Sequence, residues 1–323
     1  MTESLEKFAL NKSIAKQGLI HKVGLIGCGD MGQQVARIVS QSGIDVTFIE
    51  RNQERIDEVF QSIGAQLDTV INRWGLTQGD KRVILSRIRG TVDYGMIRNC
   101  DLIIEMISSD DPLNERIELF RKIETFVHPE TVITSSVSTL MITDIAAGMT
   151  HPERTLAMNF FASPSKVRIV EIVCGLQTNE QSHHLAQRFA RMINKDAITV
   201  NESPGSISTR LIVTLINEAC NTLTEGVSTI EDIDVIMRRG FGMQHGPFEL
   251  ADTIGLDKVL RYMDHLFDEF GQYKFKASPL IKRLVRAHNT GVRTGKGFYL
   301  YDRNGQKAGI NVTSTQIINT NGK

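Results

Sequence analysis

The chain has 323 residues, which is enough for two domains that each bury a sizeable core. Its 37 Lys and Arg residues equal its 37 Asp and Glu residues, so the net charge gives no reason to expect nucleic acid or an anionic membrane as a partner. The longest apolar runs, such as VGLIG and DLIIEMI, are far too short to span a bilayer.

The first twenty residues mix both charge signs and lack the apolar stretch of a signal peptide, which predicts a cytoplasmic protein with a short extension over residues 1–20. Four widely spaced cysteines in apolar surroundings predict buried free thiols. Neither these cysteines nor the adjacent His183 and His184 have metal-ligand spacing, so no metal site is predicted.

From residue 21 onward, short apolar runs alternate with polar helical stretches. A long helical pair is predicted over residues 52–86 and a helix around Glu115–Phe126. Strands are predicted at VGLIG, DVTFIE, DLIIEMI, TVITSSV, TLAMNFF, IVEIV and residues 197–200. This alternation predicts an α/β domain over residues 21–201, with a mostly parallel sheet covered by helices on both faces.

Beyond the segment NESPGS, apolar residues recur at spacings of three and four, which is typical of helices. The pattern predicts a second, helical domain over residues 202–302, with the boundary near residue 202. After Tyr301 the sequence is polar, and residues 303–323 are predicted to form a loosely held tail.

A glycine-rich turn, Gly27-x-Gly29-x-x-Gly32, lies between the first predicted strand and helix. In such a turn the first glycine permits a tight bend, the second lets a pyrophosphate approach, and the third lets the helix pack on the strand, whose neighbouring amides favour the anion. Glu50 ends the second strand, eighteen residues after Gly32, where an acid can hold both ribose hydroxyls and repel a 2′-phosphate. The pattern predicts NAD rather than NADP, a preference that Arg51 weakens slightly. The expected cofactor contacts are Gly27, Gly29, Met31, Gly32 and Glu50.

From about Lys22 to Tyr301, the order and spacing of seven motifs resemble those of the 3-hydroxyacyl-CoA dehydrogenase family. The motifs are GLIGCGDMGQQVA, DLIIEMI, SSVSTLMITDIA, NFFASPSKVRIVEIV, ESPGSISTRLIVTLINEACNTLTEGVSTIEDID, QHGPFELADTIGLD and GVRTGKGFYLY. The resemblance implies a Rossmann-type, doubly wound domain that carries a helical hairpin, followed by an all-α domain that forms a homodimer. It also implies reversible, NAD-dependent oxidation of an L-3-hydroxyacyl-CoA, such as 3-hydroxybutyryl-CoA, in fatty-acid or butanoate metabolism.

Members of this family use a histidine as the base, a glutamate twelve residues later that orients it, and a serine and an asparagine near the substrate oxygens. Position by position, Glu171 matches the glutamate and Ser138 matches the serine, whereas Asn159 takes the place of the histidine. Thr209 takes the place of the asparagine, and Ala162-Ser163 replaces an asparagine-proline pair near the cofactor. The resemblance therefore assigns catalytic roles to Glu171, Ser138 and Asn159, and substrate contacts to Ser138 and Thr209.

Two further cofactor contacts and one substrate contact follow from the resemblance. Asp111 aligns best with an acid that follows the position of Glu105, and Arg116 takes the place of a lysine near the cofactor. The family's helical hairpin contacts the CoA nucleotide, and here it carries basic residues, of which Arg73 is expected to bind substrate; a solvated helix face is the alternative. These basic residues are Arg73, Lys81, Arg82, Arg87 and Arg89.

Asn159 does not titrate near neutrality and cannot be the general base. Because loss of a positioned base costs about 10²–10⁴ in rate, three interpretations stay open, in this order. The first is a dehydrogenase whose proton is taken by Glu171, directly or through water, or by another histidine such as His245. The second is a dehydrogenase of the same fold for a different small hydroxy acid. The third is a homologue that binds NAD and an acyl-CoA but turns over poorly.

Overall fold

The structure is a computed structural model that describes residues 20–107, 113–136, 140–161, 164 and 167–312. The chain divides into two compact units, Met1–Ser203 and Pro204–Lys323. This division lies beside the predicted boundary near residue 202. Within the described ranges, no helix has both the length and the apolar character needed to cross a membrane.

The first unit is built on an eight-stranded sheet with the spatial order β3-β2-β1-β4-β5-β6-β7-β8, in which every neighbouring pair is parallel except β6 and β7. In chain order, the strands are β1 (Lys22–Ile26), β2 (Asp45–Ile49), β3 (Ile88–Thr91), β4 (Leu102–Glu105), β5 (Val132–Ser135), β6 (Thr155–Phe160), β7 (Ile169–Cys174) and β8 (Asp196–Asn201). The central strands are apolar along almost their whole length because helices cover both faces. The predicted mostly parallel α/β sheet is confirmed.

In the described part of this unit, six α-helices surround the sheet: α1 (Asp30–Gln41), α2 (Gln53–Ile71), α3 (Gln78–Ser86), α4 (Leu113–Phe126), α5 (Ile142–Ala146) and α6 (Glu180–Met192). On one face, α1, α2, α3 and α6 pack on a core that includes Leu25 and Phe48. On the other face, α4 and α5 pack on a core that includes Ile26 and Ile103. Helices α2 and α3 form the predicted hairpin, and a capping box between Thr77 and Asp80 starts α3.

Strand β3 was not predicted from the sequence, because Ile88–Thr91 is short and only Ile88 of it is buried. It pairs with β2 at the edge of the sheet. Gly90 permits this pairing, since a Cβ there would lie 2.5 Å from the side chain of Ile56 and 2.6 Å from that of Phe48. The strand therefore depends on close packing that no local pattern reveals.

As far as Val312, the second unit contains five α-helices and a short hairpin: α7 (Ser206–Thr224), α8 (Ile230–Phe241), α9 (Pro247–Ile254), α10 (Leu256–Phe270), α11 (Pro279–Arg286), β9 (Tyr299–Tyr301) and β10 (Lys307–Ile310). Its core includes Phe248, Met263 and Phe298. In the segment RTGKGFYLY, the side chains of Phe298 and Tyr299 are both fully buried.

The prediction that the chain is loosely held after Tyr301 is wrong as far as Val312. Strand β10 pairs antiparallel with β9, the Lys307 ammonium lies 2.6 Å from Glu249, and Val312 is buried. The apolar contact and the ion pair hold a segment whose polar composition suggested otherwise. The remainder of the predicted tail and residues 1–19 lie outside the described residues.

The four cysteines are free thiols, as predicted; Cys28, Cys100 and Cys220 are buried and Cys174 is half-buried. Burial raises the pKa of the Cys100 thiol to about 12, and it raises the pKa of Cys28 and of Cys220 as well. Since the thiolate is the reactive form, these side chains are chemically inert at neutral pH.

Candidate active site

The glycine turn joins β1 to α1 and is closed on one side and open on the other. Gly27 has φ +83°, and a Cβ there would lie 2.9 Å from Ile107, while a Cβ at Gly32 would lie 3.0 Å from the Gly27 carbonyl oxygen. A Cβ at Gly29 would meet no atom within 4 Å. Gly29 is also the N-cap of α1 and offers no side chain to the first amides of the helix. The open side and these amides fit a phosphate group. Met31, in the first turn of α1, is half-buried against the core.

Glu50 follows β2 and reaches back to the glycine turn, where its carboxylate accepts a hydrogen bond of 2.7 Å from the Cys28 amide. It lines a cleft of about 710 Å³ that runs along the ends of β1, β2 and β4. One carboxylate oxygen is thus held in place while the residue still borders open space, which fits a ribose diol. Other side chains along the cleft are Arg51, Arg55, Tyr94, Ile107 and Lys122.

The cleft contains two cations that the sequence did not indicate. Arg55, in the first turn of α2, forms an ion pair of 2.5 Å with Glu58. Lys122, on α4, lies 3.8 Å from the centre of the Tyr94 ring. The sequence did contain a signal from which Arg55 could have been assigned to the cleft. Arg55 lies five residues after Glu50, in the first helical turn beyond the end of β2. No motif marks Lys122, which reads as part of a polar helix face.

Arg116, the predicted cofactor contact on α4, is 1% exposed and forms an ion pair with the fully buried Glu105 at the end of β4. The Glu105 carboxylate also accepts hydrogen bonds of 2.6 Å from the Ile107 amide and 2.7 Å from the Ser135 hydroxyl. The pair therefore fixes the end of β4 beside the cleft, and Lys122 is the α4 cation that lines the cleft itself. A contact between Arg116 and the cofactor stays a prediction.

Four other predicted positions, Ser138, Asp111, Ala162 and Ser163, lie outside the described residues. Their expected roles stay predictions.

Asn159 and Glu171 face each other across the antiparallel pair β6 and β7. The strand register sets them directly opposite, although twelve residues separate them in the chain. Both are buried, with 8% of Asn159 and 4% of Glu171 exposed. The Asn159 amide nitrogen donates to Glu171 Oε2 over 3.4 Å, which is long for such a bond.

The Asn159 amide oxygen is buried and has no hydrogen-bond partner among the described residues. Burial raises the pKa of the Glu171 carboxyl, and the hydrogen bond from Asn159 opposes this rise in part. No charged side chain in the described part of the chain contributes to the shift. Among the described residues, the Glu171 carboxyl group therefore has no counterion, and the neighbouring Asn159 amide uses its nitrogen but not its oxygen in hydrogen bonding.

The comparison with known proteins decides the family. The family model described as "3-hydroxyacyl-CoA dehydrogenase, NAD binding domain" matches residues 22–203, and the model for its C-terminal domain matches residues 205–301. The chain belongs to the 3-hydroxyacyl-CoA dehydrogenase family. The predicted family, the NAD cofactor and the assignment as an NAD-dependent oxidoreductase are thereby confirmed.

The most similar relatives of this family member include bacterial enzymes. A 3-hydroxybutyryl-CoA dehydrogenase of Clostridioides difficile is 32% identical over 87% of this chain and all of its own length. A probable 3-hydroxybutyryl-CoA dehydrogenase of Deinococcus radiodurans is 33% identical, with the same coverage of both chains. Among solved structures, (S)-3-hydroxybutyryl-CoA dehydrogenase from Ralstonia eutropha has a TM-score of 0.84 at 31% identity, covering 88% of this chain and all of that one.

The remaining predicted site residues of this dehydrogenase family member lie elsewhere. Thr209 is half-buried near the start of α7, and His245 is half-buried just before α9, both in the second unit. Arg73 is exposed in the turn after α2. In the described part of the chain, no three His, Cys, Asp or Glu side chains are grouped so that they could hold a metal ion.

The basic residues of the hairpin do not form one cluster. Lys81 forms an ion pair of 2.7 Å with Asp68, which partly neutralises it. Arg73 lies at the tip of the hairpin, whereas Arg87 and Arg89 line a separate cleft at the β3 edge of the sheet. Of these side chains, Arg73 stays the predicted substrate contact.

Proposed function

We propose that this protein interconverts 3-hydroxybutyryl-CoA, or a 3-hydroxyacyl-CoA of similar length, and the corresponding 3-ketoacyl-CoA. The observation that carries the proposal is the match to 3-hydroxybutyryl-CoA dehydrogenases along their whole length, through both domains. The buried carboxyl group of Glu171 in the same domain as the nucleotide cleft supports it, because oxidation of an alcohol requires a proton acceptor.

The residues of the glycine turn fit NAD. The open side of Gly29 and the first amides of α1 would hold the pyrophosphate, and Glu50 would accept hydrogen bonds from the adenosine ribose. Met31, Asp111 and Arg116 complete the proposed cofactor contacts. NAD, when bound, supplies the acceptor for the hydride that leaves the substrate C3.

The proposed catalytic residues are Glu171, Asn159 and Ser138. Glu171 handles the substrate proton, because Asn159 cannot titrate. Asn159 and Ser138 carry hydrogen-bonding groups that orient substrate oxygens. Thr209 and Arg73 are proposed as further substrate contacts, with the Arg73 guanidinium at the hairpin tip suited to a CoA phosphate.

A homodimer is also part of the proposal. The second unit exposes apolar side chains on two helices: Ile207 and Leu211 on α7 are 49% and 66% exposed, and Ile236 and Phe241 on α8 are 55% and 74% exposed. Such side chains are typical of protein interfaces. A cytoplasmic location is proposed as well, and four free thiols fit a reducing compartment.

The test follows absorbance at the nicotinamide band after the protein is mixed with NADH and acetoacetyl-CoA. Free acetoacetate is the matched control, since it offers the same keto group without CoA. We expect acetoacetyl-CoA to oxidise NADH much faster than acetoacetate does. Binding of NADH without turnover of acetoacetyl-CoA would contradict the proposal.

A different small hydroxy acid is the second candidate substrate, and the specific observation that favours it is the amide of Asn159 opposite Glu171. A pocket that lost its histidine offers another hydrogen-bonding pattern to the substrate. A screen of free hydroxy acids with NAD⁺ tests this candidate. Faster turnover of a free acid than of 3-hydroxybutyryl-CoA would support it, and no NAD⁺ reduction with any free acid would eliminate it.

A further inference from the structure

We propose that Glu171 itself takes the proton of the substrate hydroxyl and that Asn159 serves both protonation states of Glu171 through the two ends of its amide. This inference rests on the proposed function and specifies its proton step. In the proton step, Asn159 is a positioning residue, because it acts on the substrate proton through Glu171; its proposed hydrogen bond to a substrate oxygen is a separate role.

Glu171 lies among uncharged side chains of the sheet. Across the sheet it faces Asn159 on β6 and Ile198 on β8, and its same-face neighbours along β7 are Ile169 and Val173. None of these side chains carries a charge. Among the described residues, Glu171 has no ion pair, whereas Glu105, the other fully buried glutamate of the sheet, is paired with Arg116. Within the part of the chain that the structure describes, burial and the Asn159 amide therefore set the direction in which the Glu171 pKa is shifted.

The amide oxygen of Asn159 is the second feature of the pair. With Glu171 ionised, the amide nitrogen donates to the carboxylate and the amide oxygen is left buried without a partner among the described residues. A buried acceptor without a partner is destabilising, because it has lost its hydrogen bonds to water. When Glu171 holds a proton, a half-turn of the amide about χ2 presents the oxygen to the new O–H donor. The same side chain then stabilises the protonated acid.

The proposed step moves one proton to Glu171 and one hydride to the cofactor. The O–H bond of the substrate breaks and its proton goes to a Glu171 oxygen. The electron pair of that bond becomes the second bond of the C3 carbonyl, as the hydrogen on C3 leaves as hydride to the nicotinamide. The substrate is oxidised, NAD⁺ is reduced, and Glu171 later releases its proton to water. In the reductive direction the protonated Glu171 gives its proton to the carbonyl oxygen.

The raised pKa of the Glu171 carboxyl supports this role, because a carboxyl group that binds its proton more tightly than usual is a better base and still gives the proton back. Geometry distinguishes Glu171 from a structural acid. Its carboxylate accepts a long hydrogen bond from an amide that has a second, unused end.

Infrared spectroscopy of the cofactor-free protein tests the pair without any turnover. Because burial also raises the pKa of Asp234 and Asp252, the band of Glu171 is read from the difference between the parent and Glu171→Gln spectra, in which it should titrate above the usual range of glutamic acid. Asn159→Ala should move this titration to still higher pH, because the lost bond from the amide to the ionised carboxylate is charge-assisted and stronger than the bond to the protonated acid. Glu124→Gln is the matched control: Glu124 is a half-buried acid whose pKa is lowered by its hydrogen bonds, and the Glu171 band should survive its replacement.

Turnover of acetoacetyl-CoA completes the test. Asn159→Ala should raise the pH at which reductive kcat/KM falls, by the same shift as the infrared band, whereas a merely structural role would leave the profile in place. A difference spectrum without a carboxyl band above the usual range of glutamic acid, or a profile unmoved in Asn159→Ala while the parent is active, would overturn the inference and leave the proposed function standing. A parent that binds NADH but does not turn over acetoacetyl-CoA would overturn both.

Discussion

The carboxylates buried in the second unit differ from Glu171 in the first unit in how fully they are hydrogen-bonded. Asp252 accepts bonds from the amides of Phe298 and Tyr299, each at 2.9 Å, and from the Tyr301 hydroxyl at 3.0 Å. Glu171 accepts one long bond from an amide. Burial raises the pKa of both acids, that of Asp252 to about 6. A raised pKa therefore does not by itself distinguish a catalytic acid from a structural one. The difference that we use is the hydrogen-bonding capacity that Glu171 leaves unused and Asp252 does not.

Asp234 repeats the pattern of Asp252 and shows its structural purpose. Its carboxylate accepts from the amides of Phe248 and Glu249 and from the Tyr299 hydroxyl, at 2.9, 3.1 and 2.8 Å. Together the two acids tie α8 and α9 to the β9 strand. A reacting group, by contrast, must keep a lone pair for its substrate, and the sparse hydrogen bonding of Glu171 leaves it one.

The largest expected effect concerns Asp252, whose carboxylate is more fully hydrogen-bonded than that of Glu171. In Gly297→Ala the new Cβ would lie 1.9 Å from Asp252 Oδ1, so the hydrogen bonds of Asp252 must break or the β9 strand must move. We expect a loss of about 3–5 kcal/mol in unfolding free energy. Calorimetric melting measures it, with Gly309→Ala as the matched control, because a Cβ there would lie 3.9 Å from its nearest neighbour. Equal melting temperatures for the two variants would show that Asp252 is not held as described.

Asp252→Asn should lower the unfolding free energy somewhat less, by about 2–4 kcal/mol. The NH₂ group of the asparagine would face N–H and O–H groups that donate to the carboxylate in the parent, and two donors cannot bond each other. The cost should also depend on pH. The Asp252 pKa is raised from 3.8 to about 6, so its protonation stabilises the folded state fully below pH 3.8, and this contribution is lost as pH rises through 6. Denaturant unfolding of parent and variant should therefore show a stability gap that widens as pH falls from 7 to 4. A stability gap that narrows as the pH falls would contradict a raised pKa of Asp252 in the folded protein.

Asn159→His would turn the half-used amide into a titrating partner for Glu171. We expect turnover of a 3-hydroxyacyl-CoA to rise about 10- to 100-fold, since a positioned base contributes at least this much. Steady-state kcat with NAD⁺ and 3-hydroxybutyryl-CoA measures the change. Reduced turnover with intact NADH binding would mean that the pocket is built around the amide.

The smallest expected effect concerns Glu50, whose carboxylate accepts a hydrogen bond from the Cys28 amide and borders the nucleotide cleft. Glu50→Ala should lower the preference for NAD over NADP by about tenfold, because the repulsion of a 2′-phosphate is lost while Arg51 and Arg55 stay along the cleft. The ratio of kcat/KM for the two cofactors measures it. An unchanged ratio would assign Glu50 to the support of the turn alone.

The sequence predicts the sheet and the helical unit well, because runs such as DVTFIE and the three- and four-residue spacing of the second unit are local patterns. It misses β3 and β10, whose stability comes from the close approach at Gly90 and the ion pair of Lys307 with Glu249. The site divides in the same way. The glycine turn and Glu50 are readable from spacing, whereas Lys122 reaches the cleft only through packing of α4.

The opposition of Asn159 and Glu171 shows what a sequence alone leaves open. Resemblance to the family named both positions, but the antiparallel register of β6 and β7 sets the hydrogen bond between them, and burial sets the direction of the pKa shift. Neither the unused amide oxygen nor the lack of a counterion among the described residues follows from residue types.

The most direct test of the role of Glu171 is the kcat of Glu171→Gln with NADH and acetoacetyl-CoA, compared with Glu124→Gln and with NADH affinity measured on each protein. We predict that Glu171→Gln loses about 10²–10⁴ in kcat while NADH binds as in the parent and Glu124→Gln stays active. A Glu171→Gln protein that turns over within about threefold of the parent would contradict a proton-transfer role for this carboxyl group.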